Sequence, residues 1–427
     1  MYSKMNSSMI NYFICAFTLS FCSYGALGSE KTGSSPERHI CDDEERQSFP
    51  NTCGVMDRSI QEPNDLLKEM TEWGINVGYI DNTTTFLGVD TKYKVHPVGD
   101  NGFTYEGDRT DVLPIVSQHG LFQTCFESYM KNWVKLAAET TGGYATCINI
   151  GDNAIDEIFN TVFLNMEKSV DEFARKIRAN PKFSNGFNAI AFSQGNPVIR
   201  GYIIKYNDPP VKNFISVDGV IAGVSALPHC DPFNVNSTFP VDSSHATSLR
   251  SKRSLESKPH IQNDGLKKHI CMLFAEIASA LSYTTFMQKH VFPANYFVDR
   301  HPSMKKDFLK YSVQAKISNE GSHFNETYIA NFLSVDKYVW VMGLLDKTVI
   351  PREGEHWGEV DSHDFNKILP MKETNWFTSD SFGLRTAYNE GKFTFRTHPG
   401  SHIKIPPAEY ISLIEEFFLS TSTYYNQ

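Results

Sequence analysis

Residues 186–202 read Gly-Phe-Asn-Ala-Ile-Ala-Phe-Ser-Gln-Gly-Asn-Pro-Val-Ile-Arg-Gly-Tyr. An apolar run from Ala189 to Phe192 leads into Ser193, Gly195 follows two residues later, and a helical stretch takes over. A strand that turns this sharply into a helix strains the corner residue and admits only small residues two positions to either side. Ala191 and Gly195 fill those places. The usual spelling has glycine at both, so Ala191 departs from it by one methyl group. Small-x-Ser-x-small also arises by chance, so the reading rests on partners elsewhere in the chain.

A serine hydroxyl is a poor nucleophile until a base takes its proton. The base is most often a histidine whose tautomer is held by an acid. On sheets of this kind the chain order is serine, acid, histidine. Leu344-Leu345-Asp346-Lys347 places an acid just beyond an apolar strand, and Thr397-His398-Pro399-Gly400-Ser401-His402 follows the next one. Asp346 alone would read as a turn cap. Of the two histidines, His398 lies close to the strand end and early for reaching Ser193. His402, past a Gly-Ser turn, has the better spacing. A tetrahedral intermediate also needs two backbone N–H donors. One belongs to the residue after the nucleophile, Gln194, and the other to the loop after an early strand. Gln118-His119-Gly120-Leu121-Phe122 closes such a strand, which makes the Leu121 N–H the second candidate.

Around these residues the rhythm is strand–helix. Strands are expected over 112–117, 144–150, up to Phe192, 214–217, 338–344 and 393–395. A helix is expected over 167–179, with Val170, Phe173 and Ile177 on one face, and a final helix opens at Pro406-Pro407. Alternating β and α elements imply a mainly parallel sheet with helices on both faces. Residues 29–110 show no periodicity and read as an N-terminal extension, with the α/β domain spanning 111–427. Residues 231–268 are serine-rich and polar and read as a long exposed insertion. Within them Arg250-Ser251-Lys252-Arg253 has the spelling of a convertase cleavage site, although a solvated basic stretch is the simpler reading.

The 427 residues carry a net charge of −9, and nothing in them resembles a nucleic-acid surface. Residues 1–28 read as a cleaved signal peptide: Lys4, an apolar run over 9–21, and Ala26-Leu27-Gly28 before the cut. A membrane anchor is the competing reading, and the run is short for one. No later segment is long and apolar enough to span a membrane, so none is expected in the mature chain. Cys41, Cys53, Cys125, Cys147, Cys230 and Cys271 then remain, an even number that suits disulfides in an oxidising compartment. None lies in a Cys-x-x-Cys or Cys/His cluster, so no metal is expected. Asn82, Asn236 and Asn325 each open an Asn-x-Thr/Ser glycosylation triplet.

At this point the chain resembles the palmitoyl-protein thioesterases over roughly 112–420. The resemblance rests on Phe192-Ser193-Gln194-Gly195, Asn213-Phe214-Ile215-Ser216-Val217, Leu227-Pro228-His229-Cys230, His269-Ile270-Cys271, Asn325-Glu326-Thr327-Tyr328 and Ser381-Phe382-Gly383-Leu384-Arg385. It implies an α/β-hydrolase fold, with Ser193 as nucleophile, His402 as base, Asp346 as its orienter, and Leu121 and Gln194 as oxyanion donors. It also implies a Cys230–Cys271 disulfide, which would tie the halves of the insertion together if the basic stretch were cut. The activity implied is removal of palmitoyl or similar long acyl chains from S-acylated cysteines of proteins or peptides, without a cofactor, in the lysosome or after secretion. Palmitoyl-CoA hydrolysis or lipase/esterase chemistry would use the same residues, and an inactive secreted binding protein is the alternative of another class. Ala191, the long insertion and the 29–110 extension depart from the family pattern.

Overall fold

The computed structural model describes residues 38–62, 65–66, 94–96, 103–226 and 281–419. The expected signal peptide, Asn82, Asn236, Cys230, Cys271 and the 250–253 stretch lie outside them. Eight strands form one sheet: β1 (Lys94–His96), β2 (Thr104–Glu106), β3 (Ile115–Gln118), β4 (Ala145–Cys147), β5 (Phe187–Phe192), β6 (Val211–Val217), β7 (Lys337–Gly343) and β10 (Phe393–His398). A two-strand ribbon, β8 (Glu359–Val360) and β9 (Ile368–Leu369), stands apart from it. The sheet order is β1-β2-β4-β3-β5-β6-β7-β10. Pairing is parallel from β4 to β10 and antiparallel where β2 meets β1 and β4. This is the doubly covered, mainly parallel sheet of an α/β-hydrolase.

The strands divide their side chains by alternation. Phe187, Ala189 and Ala191 of β5 enter one core, with Phe214, Tyr338 and Trp340 of its neighbours. Ile190 and Phe192 enter the other, with Ile215, Val217, Val339 and Val341. Helices Ala154–Phe163, Met166–Ala179 and Gly195–Lys205 close the first face, while Ser128–Thr141 and Pro407–Ile414 close the second. A sheet buried on both sides explains why the central strands read as unbroken apolar runs. In the helix Met166–Ala179, Asn165 caps the first turn by accepting from the Lys168 N–H, and Val170, Phe173 and Ile177 are buried as their spacing predicts. A Cβ on Gly201 would lie 2.6 Å from Val170 Cγ2, so glycine there lets this helix pack closely against the one after Ser193.

The expected boundary at residue 111 needs correction. β2, inside the supposed extension, pairs with β4 and carries β1 on its outer side. Phe49, between the helices Asp43–Ser48 and Pro50–Gln61, and Cys53, Val55 and Met56 of the second helix join the first core. Phe49 stacks on Phe286 at 4.3 Å, and Arg38 pairs with Asp156 at 3.2 Å. Strands of three residues and helices held by distant contacts leave no periodic trace in sequence. Two disulfides join residues left unpaired in the sequence reading: Cys41–Cys53 staples the N-terminal helices, and Cys125–Cys147 links β4 to the loop after β3. No helix among the described residues is long and apolar enough to cross a membrane.

Because Phe49 belongs to the same core as the sheet, Phe49→Ala should destabilise the whole domain by about 3 kcal/mol. Urea unfolding would show this as a lower midpoint of the single main transition. An unchanged midpoint, with only a local early loss, would detach the N-terminal helices from the core.

Candidate active site

Ser193 sits between the end of β5 and the helix Gly195–Lys205, at φ +50°, a backbone region that disfavours a side chain. Its N–H donates to the Val217 carbonyl at 3.1 Å, and its own carbonyl accepts from the Asn196 N–H at 3.1 Å and Asn196 Nδ2 at 2.9 Å. The corner is therefore fixed on both sides. Gly195 is required there, since a Cβ would come within 2.5 Å of the Gln118 carbonyl oxygen and 2.6 Å of that of His119. Gly120 is required as well: its Cβ would meet Ser193 Cβ at 2.9 Å. Ala191, the one departure from the usual spelling, is fully buried within β5 beside Gln118 and Ser216.

The parallel sheet carries the partners to the same edge. Asp346 lies in the loop after β7, and His402 in the loop after β10, which pairs beside β7. The Ser193 hydroxyl donates to His402 Nε2 at 2.9 Å, and the His402 Nδ1–H donates to Asp346 Oδ2 at 2.5 Å. The other Asp346 oxygen accepts the N–H groups of Thr348 at 2.6 Å and Val349 at 3.1 Å, so the carboxylate is clamped from both ends. Ser193 and His402 keep 8% and 9% of their surface exposed, whereas β5 beneath Ser193 is buried throughout. Burial alone would lower the His402 pKa, but the Asp346 charge and hydrogen bond, with a further contribution from Asp218, hold it above the ordinary imidazole value. Burial would raise Asp346, yet His402 and the Thr348 N–H hold it below the usual carboxylate range.

Thr161 joins the loop that carries Leu121 to the turn that carries Gln194. Its hydroxyl accepts the Phe122 N–H at 3.0 Å, and its carbonyl accepts Gln194 Nε2 at 2.7 Å. Tyr296 donates to the other end of the Gln194 side chain at 2.8 Å. Beneath the Leu121 loop, His119 donates from Nδ1 to the Gly120 carbonyl at 2.9 Å and from Nε2 to Glu157 at 2.8 Å. Burial opposes the His119 charge, but Glu157 outweighs it and raises the pKa. Glu157 also accepts the N–H groups of Cys125 and Ile150, at 3.1 and 3.2 Å.

Asn325 is exposed and caps the helix Glu326–Leu333, accepting from the Thr327 N–H at 3.0 Å. His398, the rival histidine, bonds Asp218 through Nε2 at 2.9 and 3.1 Å, while His402 is the one that meets Ser193. The sequence reading missed Asp218 and Glu355. Asp218 directly follows β6, the same position after a strand that singled out Asp346, so the signal was present. Glu355 gave none. It is fully buried, accepts the Gly343 N–H at 3.0 Å, and burial together with Asp218 and Asp346 pushes it well above the usual carboxyl range.

A serine, a histidine and an aspartate hydrogen-bonded in series at one sheet edge fit many hydrolases; the sequence around them decides between families. Residues 114–402 match the family model described as palmitoyl protein thioesterase. The chain belongs to this family. It is 27% identical over 314 residues to Palmitoyl-protein thioesterase 1 of Caenorhabditis elegans, covering 73% of this chain and 93% of that one. It is 28% identical over 300 residues to Palmitoyl-protein thioesterase 3 of Dictyostelium discoideum, covering 70% and 87%. A shorter stretch of 136 residues is 27% identical to the Lysosomal thioesterase PPT2 homolog of Drosophila melanogaster, covering 31% of this chain and 46% of that one. As a palmitoyl protein thioesterase family member, the chain is an enzyme of the thioester hydrolase class.

Since Asp346 holds the His402 pKa up, the imidazole should titrate above about 6.5, and Asp346→Asn should move it down. Histidine ring-proton NMR across pH measures this directly. A His402 that titrates at the same pH in both proteins would break the pairing.

Proposed function

We propose that Ser193, His402 and Asp346 are the catalytic triad of a thioesterase that removes palmitoyl-type acyl chains from cysteine side chains of proteins or peptides. The observation that carries this reading is the unbroken relay from the Ser193 hydroxyl through His402 to Asp346 in a chain of this family. The relatives' printed names, palmitoyl-protein thioesterase and lysosomal thioesterase, support the substrate class and a lysosomal destination.

The chemistry follows from the geometry. Ser193 Oγ attacks the thioester carbonyl while its proton passes to His402 Nε2. Asp346 stabilises the imidazolium that forms. The negative charge on the carbonyl oxygen is met by the N–H groups of Leu121 and Gln194, whose loops Thr161 holds in register. The C–S bond then breaks, and the cysteine departs as a thiolate, which His402 can protonate. With a thiol pKa near about 8.5, this leaving group needs less acid assistance than an amine does. Water next attacks the acyl-serine, giving its proton to His402, and the fatty acid leaves as Ser193 is restored. Each buried methylene contributes about 0.8 kcal/mol, so an acyl chain of the palmitoyl class gains several kcal/mol over a short one. Because His402 must be neutral to act as base and its pKa is held up, activity should be lost as pH falls through that raised value.

Ser193→Ala should cut thioester hydrolysis by at least about 1,000-fold and abolish labelling by a fluorophosphonate. Parallel assays on a palmitoyl-cysteine peptide, palmitoyl-CoA and a triglyceride test the substrate class. Preference for the peptide supports the proposal, and preference for either of the others replaces it. Persistent labelling of Ser193→Ala would sink the nucleophile assignment.

A further inference from the structure

We propose that Asp218 is a positioning residue for the reaction, holding the His402 loop and placing a second buried negative charge beside the imidazole. This rests on the triad reading above. Asp218 and His398 are both fully buried. Asp218 comes from the end of β6, next to the strand that delivers Ser193, and its N–H donates to the Val341 carbonyl of β7 at 2.9 Å. Its carboxylate grips the loop that carries His402 at two points: it accepts the His398 Nε2–H at 2.9 Å, and it accepts the N–H of Ile403, the residue after His402.

The protonation pattern is fixed by geometry. The Gly400 N–H donates to His398 Nδ1 at 3.1 Å, so that nitrogen carries a lone pair and the ring is neutral. The Asp218–His398 pair therefore buries a net negative charge rather than a neutral ion pair. One ligand atom each of Asp218, Asp346 and His402 lies within 4.8 Å of the others. A fixed anion at that range favours the imidazolium that forms when Ser193 attacks. The groups facing His402 are Ser193 from the corner, Asp346 from the loop after β7 and Asp218 from the end of β6, with Glu355, whose pKa burial and these two carboxylates push up, beside them.

Two further features show that the surroundings are shaped for this contact. Ile403, β-branched, is held at φ +53°, and Asp218 itself at φ +46°, conformations that persist only where the surroundings impose them. Gly343 supplies the space: a Cβ there would lie 3.2 Å from both Asp218 Oδ1 and His398 Nε2. A carboxylate that only capped a turn would not need a neighbouring strand cleared for it.

The test uses the full chain and two variants, Asp218→Asn and His398→Phe, with folding checked by circular dichroism. The rate at which a fluorophosphonate modifies Ser193 is measured across pH, alongside kcat and KM on a palmitoyl-cysteine peptide. In Asp218→Asn the modification rate and kcat should fall about 10- to 100-fold, with KM little changed and the acid limb moved to lower pH, because a charge that raises the His402 pKa is gone. His398→Phe keeps the charge but frees the loop, so it should lose rate without that shift. A folded Asp218→Asn with the parent rate and parent limb overturns the proposal. If Asp218→Asn does not fold, an undiminished rate in His398→Phe overturns it. Failure of the parent enzyme to be labelled at Ser193 would instead defeat the triad reading, and labelling without peptide hydrolysis would defeat only the substrate.

Discussion

The structure depends on a tight corner at Ser193 that leaves no room for a side chain at Gly195. At Gly195 the chain passes so close to the carbonyls of Gln118 and His119 that a single methyl group would collide with them. That closeness lets Ser193 stand at φ +50° above the sheet rather than fold back into it. Gly120 applies the same constraint from the opposite loop, leaving Ser193 flanked by backbone. Parallel pairing does the rest. Strands β5, β7 and β10 run in one direction, so the loops that follow them open at the same edge, where ligands of open α/β sheets gather.

The site is also an electrostatic construction. His402 has two carboxylates that favour its charged form, and burial, with those two anions nearby, pushes Glu355 well above the usual carboxyl range. Charge is handled differently beneath the Leu121 loop. There His119 and Glu157 neutralise one another, and Glu157 takes up the backbone donors of two chain segments. One side of the cleft is therefore biased toward holding a proton, and the other is kept electrically quiet.

Much of this was legible in the sequence because it is local. The corner announces itself within five residues, and Asp346 and His402 each follow an apolar strand in the required order. The parallel sheet follows from unbroken apolar runs such as Ala189 to Phe192. What escaped is what depends on distant contacts. β1 and β2 are too short to show alternation, and the N-terminal helices are ordered by packing against residues such as Phe286. The Cys41–Cys53 and Cys125–Cys147 pairings had no spelling to distinguish them from other combinations. Asp218 was visible by position, yet its role emerges only when β6 and the loop after β10 meet. Thr161 lies in an ordinary amphipathic helix, and nothing in its spelling marks it as the joint between two loops.

The pairing of β2 with β4 bears on how the molecule can be cut. The region matched by the family begins at residue 114, past β2. A fragment started there would strip the neighbour from β4 and leave its outward N–H and C=O groups bare at the margin of the sheet. Such a margin recruits strands from other molecules, so the short antiparallel pair acts as a guard against aggregation as well as a part of the fold.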